Sequence, residues 1–192
     1  MSGGTLDRRA VAATLLRDPG DLLVVTGLGS TTYDAGAAGD RAENFYLWGA
    51  MGGAAMIGLG LALAQPRRRV LVLTGDGEML MGMGALASIA AQQPDNLSVA
   101  ILDNGRFGET GAQRSHTAYT TNLAAVAAAC GWRNIAGART MQDVEALRLR
   151  LRAEPLFAVI GISNDEVPRF LPPRDGAYLA SRFRRALGIA DA

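Results

Sequence analysis

Asp76 and Asn104 have the residue types and the spacing that could do chemistry in this chain. Asp76 sits in Gly75-Asp76-Gly77, directly after the apolar run 70–74 (VLVLT). Asn104 follows a second apolar run, 97–102 (LSVAIL), and 26 residues (78–103) separate it from Gly77. A strand–crossover–strand unit takes roughly 30 residues, so this spacing predicts that Asn104 returns beside Asp76 at one edge of a parallel sheet. The carboxyl ends of such strands are where open α/β sheets bind ligands. One carboxylate and one amide oxygen are hard donors that suit Mg²⁺, an ion that shares its shell with phosphates and water. The predicted cargo is a metal-bound diphosphate. In the plainer alternative, Asp76 is a turn former and Asn104 belongs to a hairpin turn, Asp103-Asn104-Gly105.

The elements that must position these residues alternate. A helix is expected over 6–17, stopped by Asp18-Pro19-Gly20, and a strand over 22–26. A long Gly-rich loop, 27–44, follows. Then come a helix from about 51 to 64, the strand 70–74, a helix from about 78 to 91 and the strand 97–102. A second loop, 104–121, holds most of the unusual residues. Beyond it lie a short helix at 122–130, a helix at 140–151 opened by a capping-box pattern on Thr140 with Asp143, a buried strand at 156–162, and an amphipathic helix at 176–187. Alternation of this kind implies α/β architecture: three layers, α/β/α, around a mainly parallel sheet.

Composition narrows the classes. At 192 residues, 49% of them apolar, the chain supports one domain over 1–192 with a five- or six-stranded sheet. A formal net charge of +1 gives no basic excess for nucleic acid and no acidic block for disorder. The single Cys130 excludes an internal disulfide framework. No signal-peptide pattern opens the sequence, so the expected location is the cytoplasm. The uncharged stretch 47–64, followed by Arg67-Arg68-Arg69, has the outline of a membrane span. Its apolarity comes largely from Gly and Ala, however, so a tightly packed buried helix is expected and no membrane partner.

Several segments together resemble the diphosphate-binding domain of thiamine-diphosphate-dependent enzymes. The first is Gly-Asp-Gly followed, after a span of this length, by Asn. Residues 21–30 (DLLVVTGLGS) resemble that domain's first strand and phosphate-side loop, and 45–63 (FYLWGAMGGAAMIGLGLAL) its central loop and helix. Within that family the strings GDGEMLMGMGALASIA and DNGRFGETGAQRSHTAYTTNL are similar to the separate β subunits of sulfopyruvate decarboxylase, and next to phosphonopyruvate decarboxylase. The resemblance runs from about residue 20 to about residue 187.

The resemblance implies a residue-by-residue site. Asp76, Asn104 and the backbone carbonyl of Arg106 would hold Mg²⁺. Gly75, Gly77, the Glu78 amide, Phe107 and Gly108 would surround the cofactor, with the amides of a helix start gripping the diphosphate. The Glu78 carboxylate would repel that anion, so it is expected to point away or to cap its own helix start. Gly29 and Ser30 match the phosphate-side loop, though an ordinary strand-exit turn explains them equally well. Met51 would prop the bent cofactor and the Gly49 carbonyl would accept from its amino group.

The glutamate that protonates N1′ of the pyrimidine lies on another domain in this family. A separate α subunit is therefore implied, giving a hetero-oligomer that acts on a small 2-oxo acid. The loop 106–121 offers Glu109, Gln113, Arg114, Ser115 and His116. Glu109 falls near the acid of decarboxylating relatives. His116, the only histidine, is the candidate for any imidazole acid–base step from this chain, or it is merely solvated. Arg106 or Arg114 would pair with an anionic substrate group or form surface salt bridges. The expected activity is 2-oxo acid decarboxylation; a carboligase or C–C lyase subunit and a non-catalytic phosphate-binding module are the alternatives.

Overall fold

A computed structural model of the chain describes residues 4–189. Residues 1–3 and 190–192 of the expected 1–192 domain lie outside the described residues. The first half runs α1 (Arg8–Leu15), β1 (Leu23–Thr26), α2 (Ser30–Ala38), β2 (Asn44–Tyr46), α3 (Ala54–Ala64), β3 (Val70–Gly75), α4 (Asp76–Met81), α5 (Ala85–Gln92) and β4 (Leu97–Asp103). There follow a two-stranded hairpin of β5 (Arg106–Phe107) and β6 (Gln113–Arg114), then α6 (Leu123–Cys130), β7 (Ile135–Ala138), α7 (Met141–Ala153), β8 (Phe157–Gly161) and α8 (Gly176–Ala186).

The main sheet has the order β2-β1-β3-β4-β8-β7, and its described pairings are all parallel. Alternate residues of each strand feed opposite cores, as a two-residue period requires. Val24, Leu71, Leu73 and Ala100 pack under α1, α2 and α7, while Leu23, Val25, Val70, Val72 and Val99 pack under α3, α5 and α6. The central strands β1, β3, β4 and β8 are therefore largely apolar on both faces, which is the mark of a sheet covered on both sides. The three-layer α/β/α expectation holds, with six strands.

Four local expectations are corrected. The loop 27–44 contains α2 and ends on the first residue of β2. The α2 sequence STTYDAGAA is a poor helix former, with adjacent threonines and a glycine, so burial rather than propensity holds it together. Thr31 through Gly36 are all buried, and Asp34, fully enclosed, is ion-paired to Arg8 and, at 2.8 Å, to Arg9. The single helix expected over 78–91 is two helices, α4 and α5. Between them Gly82 passes so close to the turn before α3 that a Cβ there would lie 2.0 Å from the Gly52 carbonyl oxygen. The edge strand β7 (IAGA) was not foreseen, because it is only partly buried and has no apolar run to mark it. The loop 104–121 folds back on itself as the β5–β6 hairpin and two 3-10 turns.

The apolar stretch 47–64 becomes the 11-residue α3, packed on the sheet through Ala54, Ala55, Gly58, Leu59 and Ala62. Its opposite face leaves Met56 and Leu63 exposed, so α3 is buried on one side only. Among the described residues no helix is long and apolar enough to cross a membrane. The predicted capping box of α7 is present: Thr140 accepts from the Asp143 amide at 3.1 Å, and the Asp143 carboxylate accepts from the Thr140 amide at 2.9 Å.

Candidate functional site

The register of β3 on β4 pairs Gly75 with Leu102, so both strands end at the same level. Asp76 opens α4 at that level and Asn104 leaves β4 beside it. The Asn104 amide N–H donates to Asp76 Oδ1 at 3.4 Å. The Ser115 hydroxyl donates to Asp76 Oδ2, and the Thr117 hydroxyl lies within reach of both Asp76 Oδ2 (3.1 Å) and Asp103 Oδ1 (2.8 Å). Asn104 Oδ1 in turn accepts from the Arg106 amide at 3.0 Å. This tight turn, with Gly105 in the left-handed region at φ 68°, brings the Arg106 backbone back to the cleft.

Asp76 is only 1% exposed, and its recorded partners are all neutral donors. Burial raises its carboxyl pKa from 3.8 to about 6, and the Asp103 charge adds to the rise; the hydrogen bonds from Ser115, Thr117 and Asn104 oppose it. A buried carboxylate beside a second carboxylate, met only by neutral donors, is the environment that a cation stabilises. Among the described residues no group of three or more His, Cys, Asp or Glu side chains could cage a metal. The set that the family resemblance implies, the Asp76 carboxylate, the Asn104 side-chain oxygen and the Arg106 carbonyl, is made of hard oxygens and fits Mg²⁺.

These residues border an open cleft at the carboxyl end of the sheet. Of the residues expected from the sequence, Ser30, Met51, Gly75, Asp76, Gly77 and Glu78 line it from one side. Asn104, Arg106, Phe107, Gly108 and Glu109 line it from the other. Gly29 abuts the cleft rather than lining it: a Cβ there would meet Glu109 Oε1 at 2.6 Å. Gly49 does not line it but sits at φ 92° in the turn that presents Met51. His116 is not brought to the cleft; it is exposed and packs edge-on against Phe107, with ring centroids 5.9 Å apart.

Of the two alternatives expected for Glu78, capping of its own helix start is corrected: the side chain turns away from that start and caps α3 instead. Glu78 Oε1 accepts the backbone N–H groups of Gly52 (2.9 Å) and Ala54 (3.1 Å), and Oε2 accepts the Thr74 hydroxyl. Among the described residues neither loop arginine takes a carboxylate partner. Arg106 donates to the Ala112 carbonyl at 2.8 Å, while Arg114 donates to the Ala118 carbonyl and lies 4.3 Å over the Tyr119 ring.

The sequence reading missed two parts of the site. Ser30 and Thr31 are the first residues of α2, so a second helix start faces the cleft beside that of α4. The nine-residue α2 gives its amides the anion-binding character of a helix N-terminus. Ser115 and Thr117 were foreseen, at most, as loop residues. No local pattern marks them as partners of Asp76, 39 and 41 residues away in sequence.

Fold and site together define an α/β domain with a cleft at the carboxyl edge of a parallel sheet, where two helix starts and a buried carboxylate meet. Residues 27–162 match the family described as "Thiamine pyrophosphate enzyme, C-terminal TPP binding domain". The chain belongs to that family. It is 38% identical over 178 residues to a phosphonopyruvate decarboxylase of Streptomyces viridochromogenes, covering 91% of this chain and 44% of that protein. It is 40% identical over 150 residues to a sulfopyruvate decarboxylase subunit beta of Methanothermobacter thermautotrophicus, covering 77% of this chain and 78% of that subunit. The chain thus spans less than half of the first relative and most of the second. The crystal structure of benzoylformate decarboxylase from Polynucleobacter necessarius shares the fold, with a TM-score of 0.72 at 16% identity over 85% of this chain and 34% of that one.

Proposed function

We propose that this chain is the diphosphate-binding β subunit of a thiamine-diphosphate- and Mg²⁺-dependent 2-oxo acid decarboxylase. A separate α subunit supplies the pyrimidine-binding domain and the glutamate that faces N1′. The Asp76–Asn104 corner carries the reading: a buried carboxylate met by neutral donors, the Asn104 backbone N–H among them, and two helix starts opening on the same cleft. Relatives named for sulfopyruvate and phosphonopyruvate support a substrate in which a 2-oxo acid carries a second, tetrahedral anionic group. The free thiol of Cys130 suits a reducing, cytoplasmic setting.

When bound, thiamine diphosphate supplies the carbanion and the electron sink for loss of CO₂. This chain's residues provide the surroundings. Asp76, Asn104 and the Arg106 carbonyl would hold Mg²⁺, and the backbone amides of Gly77, Glu78, Ser30 and Thr31 would meet the diphosphate. Met51, on the turn that also carries Gly49, would pack against the cofactor's rings. Phe107 and Gly108 wall the cleft against water. Glu109, a carboxyl group at the cleft and against Gly29, is the group of this chain that holds or releases a proton near the substrate. His116, turned to Phe107, has at most an indirect part.

Co-expression with a partner carrying a pyrimidine-binding domain, followed by assay of a panel of 2-oxo acids, tests this. CO₂ and an aldehyde in Mg²⁺-dependent amounts are expected. A ketol product would assign the subunit to a carboligase, and no turnover with any partner would leave a phosphate-binding module.

A further inference from the structure

The start of α3 is capped from outside its own segment. Its N-cap residue, Gly53, has no side chain, and the turn before it is conformationally unfavourable: Gly49 (φ 92°), Ala50 (φ 47°) and Gly52 (φ 89°) all occupy the left-handed region. For Ala50, which has a Cβ, that region carries a steric penalty. Such a turn persists only where its surroundings over-determine it.

Here one carboxylate does so. Glu78, 5% exposed, comes 26 residues downstream of Gly52 and accepts the N–H groups of both Gly52 and Ala54. Its second oxygen is fixed by Thr74 at the end of β3, and a Cβ on Gly27, at the exit of β1, would lie 3.1 Å from the carboxyl carbon. A negative charge at a helix start, holding two backbone amides, is a strong cap. Residues two apart on a helix do not share a face. Asp76 accordingly faces Ser115 and Asn104, whereas Glu78 faces Thr74 and the turn before α3. The six-residue α4 thus bears on its two sides the cation end of the cleft and the support of the Met51 turn.

We propose that Glu78 is a positioning residue: by capping α3 from α4, its carboxylate holds the 49–53 turn so that Met51 meets the ring end of the cofactor. This rests on the function proposed above and adds a division of labour within it. The Glu78 side chain serves recognition of the rings, and Asp76, two residues earlier, serves the diphosphate.

Calorimetry of the chain reconstituted with its α subunit in Mg²⁺, with thiamine diphosphate and inorganic diphosphate as separate ligands, tests the division. Glu78→Ala is expected to weaken thiamine diphosphate about 10- to 100-fold, the loss typical of removed charge-assisted hydrogen bonds. Inorganic diphosphate should change by less than about threefold. Glu78→Gln, which keeps an oxygen for Gly52 and Ala54 but loses the charge, should weaken thiamine diphosphate less than Glu78→Ala does and leave inorganic diphosphate within about threefold of wild type. If Glu78→Ala does not fold, Thr74→Val is read in the same two titrations and should give a smaller loss confined to thiamine diphosphate. Equal losses for the two ligands, or none, would overturn the inference. So would a wild-type complex that binds thiamine diphosphate no more tightly than inorganic diphosphate. A wild-type complex that binds neither ligand would overturn the proposed function, and this inference with it.

Discussion

Replacing Asp76 by Asn is predicted to stabilise the ligand-free chain at alkaline pH while abolishing its response to Mg²⁺ and thiamine diphosphate. Burial, with Asp103 beside it, lifts the Asp76 carboxyl from 3.8 to about 6. An acid whose folded pKa lies above its unfolded one binds more protons when folded. Its penalty is therefore absent below about pH 4, grows as pH rises, and is complete above about pH 6. Two pKa units correspond to ~3 kcal/mol at pH 8. Asn removes the charge, but the Ser115 and Thr117 hydroxyls must turn to meet its amide. Half the gain, ~1–2 kcal/mol, is therefore expected, a rise of ~2–8 °C in melting temperature for a domain of this size. Thermal unfolding at pH 8 and at pH 4.5, with and without the ligand pair, is the assay. The Asn variant should melt higher than wild type at pH 8 without ligand, and the gap should narrow at pH 4.5. Only wild type should gain stability from Mg²⁺ with thiamine diphosphate. A variant that melts at or below wild type at pH 8, or that keeps the ligand-induced shift, would refute the reasoning.

Other outcomes follow from particular contacts. In the reconstituted enzyme, Glu109→Gln should lower kcat by ~10²-fold or more, while His116→Ala should stay within about threefold, both read from CO₂ release. Asp34→Ala leaves the enclosed Arg8 guanidinium without its ion-pair partner. It should cost ~3–5 kcal/mol, a fall of ~6–20 °C in melting temperature. Gly82→Ala would force a Cβ to within 2.0 Å of the Gly52 carbonyl oxygen, backbone against backbone. It should cost ~1–3 kcal/mol in a denaturant titration and should also weaken thiamine diphosphate binding, because the same turn carries Met51.

The parts of the molecule legible in the sequence are those where periodicity and spacing coincide. The fully apolar strands at 70–74 and 97–102, with the crossover length between them, were enough to put Asp76 and Asn104 at one corner. The capping box at Thr140 could be read directly, because its two bonds are local. Elements held by distant partners stayed hidden. The α2 helix depends on burial and on Arg8 and Arg9 meeting Asp34, so its own residues give no helical signal. The break between α4 and α5 reflects a backbone contact between Gly82 and Gly52, residues far apart in sequence. The same limit applies within the site. Asn104 could be found by spacing, but Ser115 and Thr117 reach Asp76 through a folded-back loop, and Glu78 caps a helix other than its own.

The most direct test of the account is a crystal structure of the full chain grown with Mg²⁺ and thiamine diphosphate. It should show one Mg²⁺ at ~2.0–2.1 Å from an Asp76 carboxylate oxygen, Asn104 Oδ1 and the Arg106 carbonyl oxygen, with the diphosphate against the Gly77 and Glu78 amides. An ion or diphosphate bound away from the β3–β4 corner, with Asp76 and Asn104 uncoordinated, would contradict it.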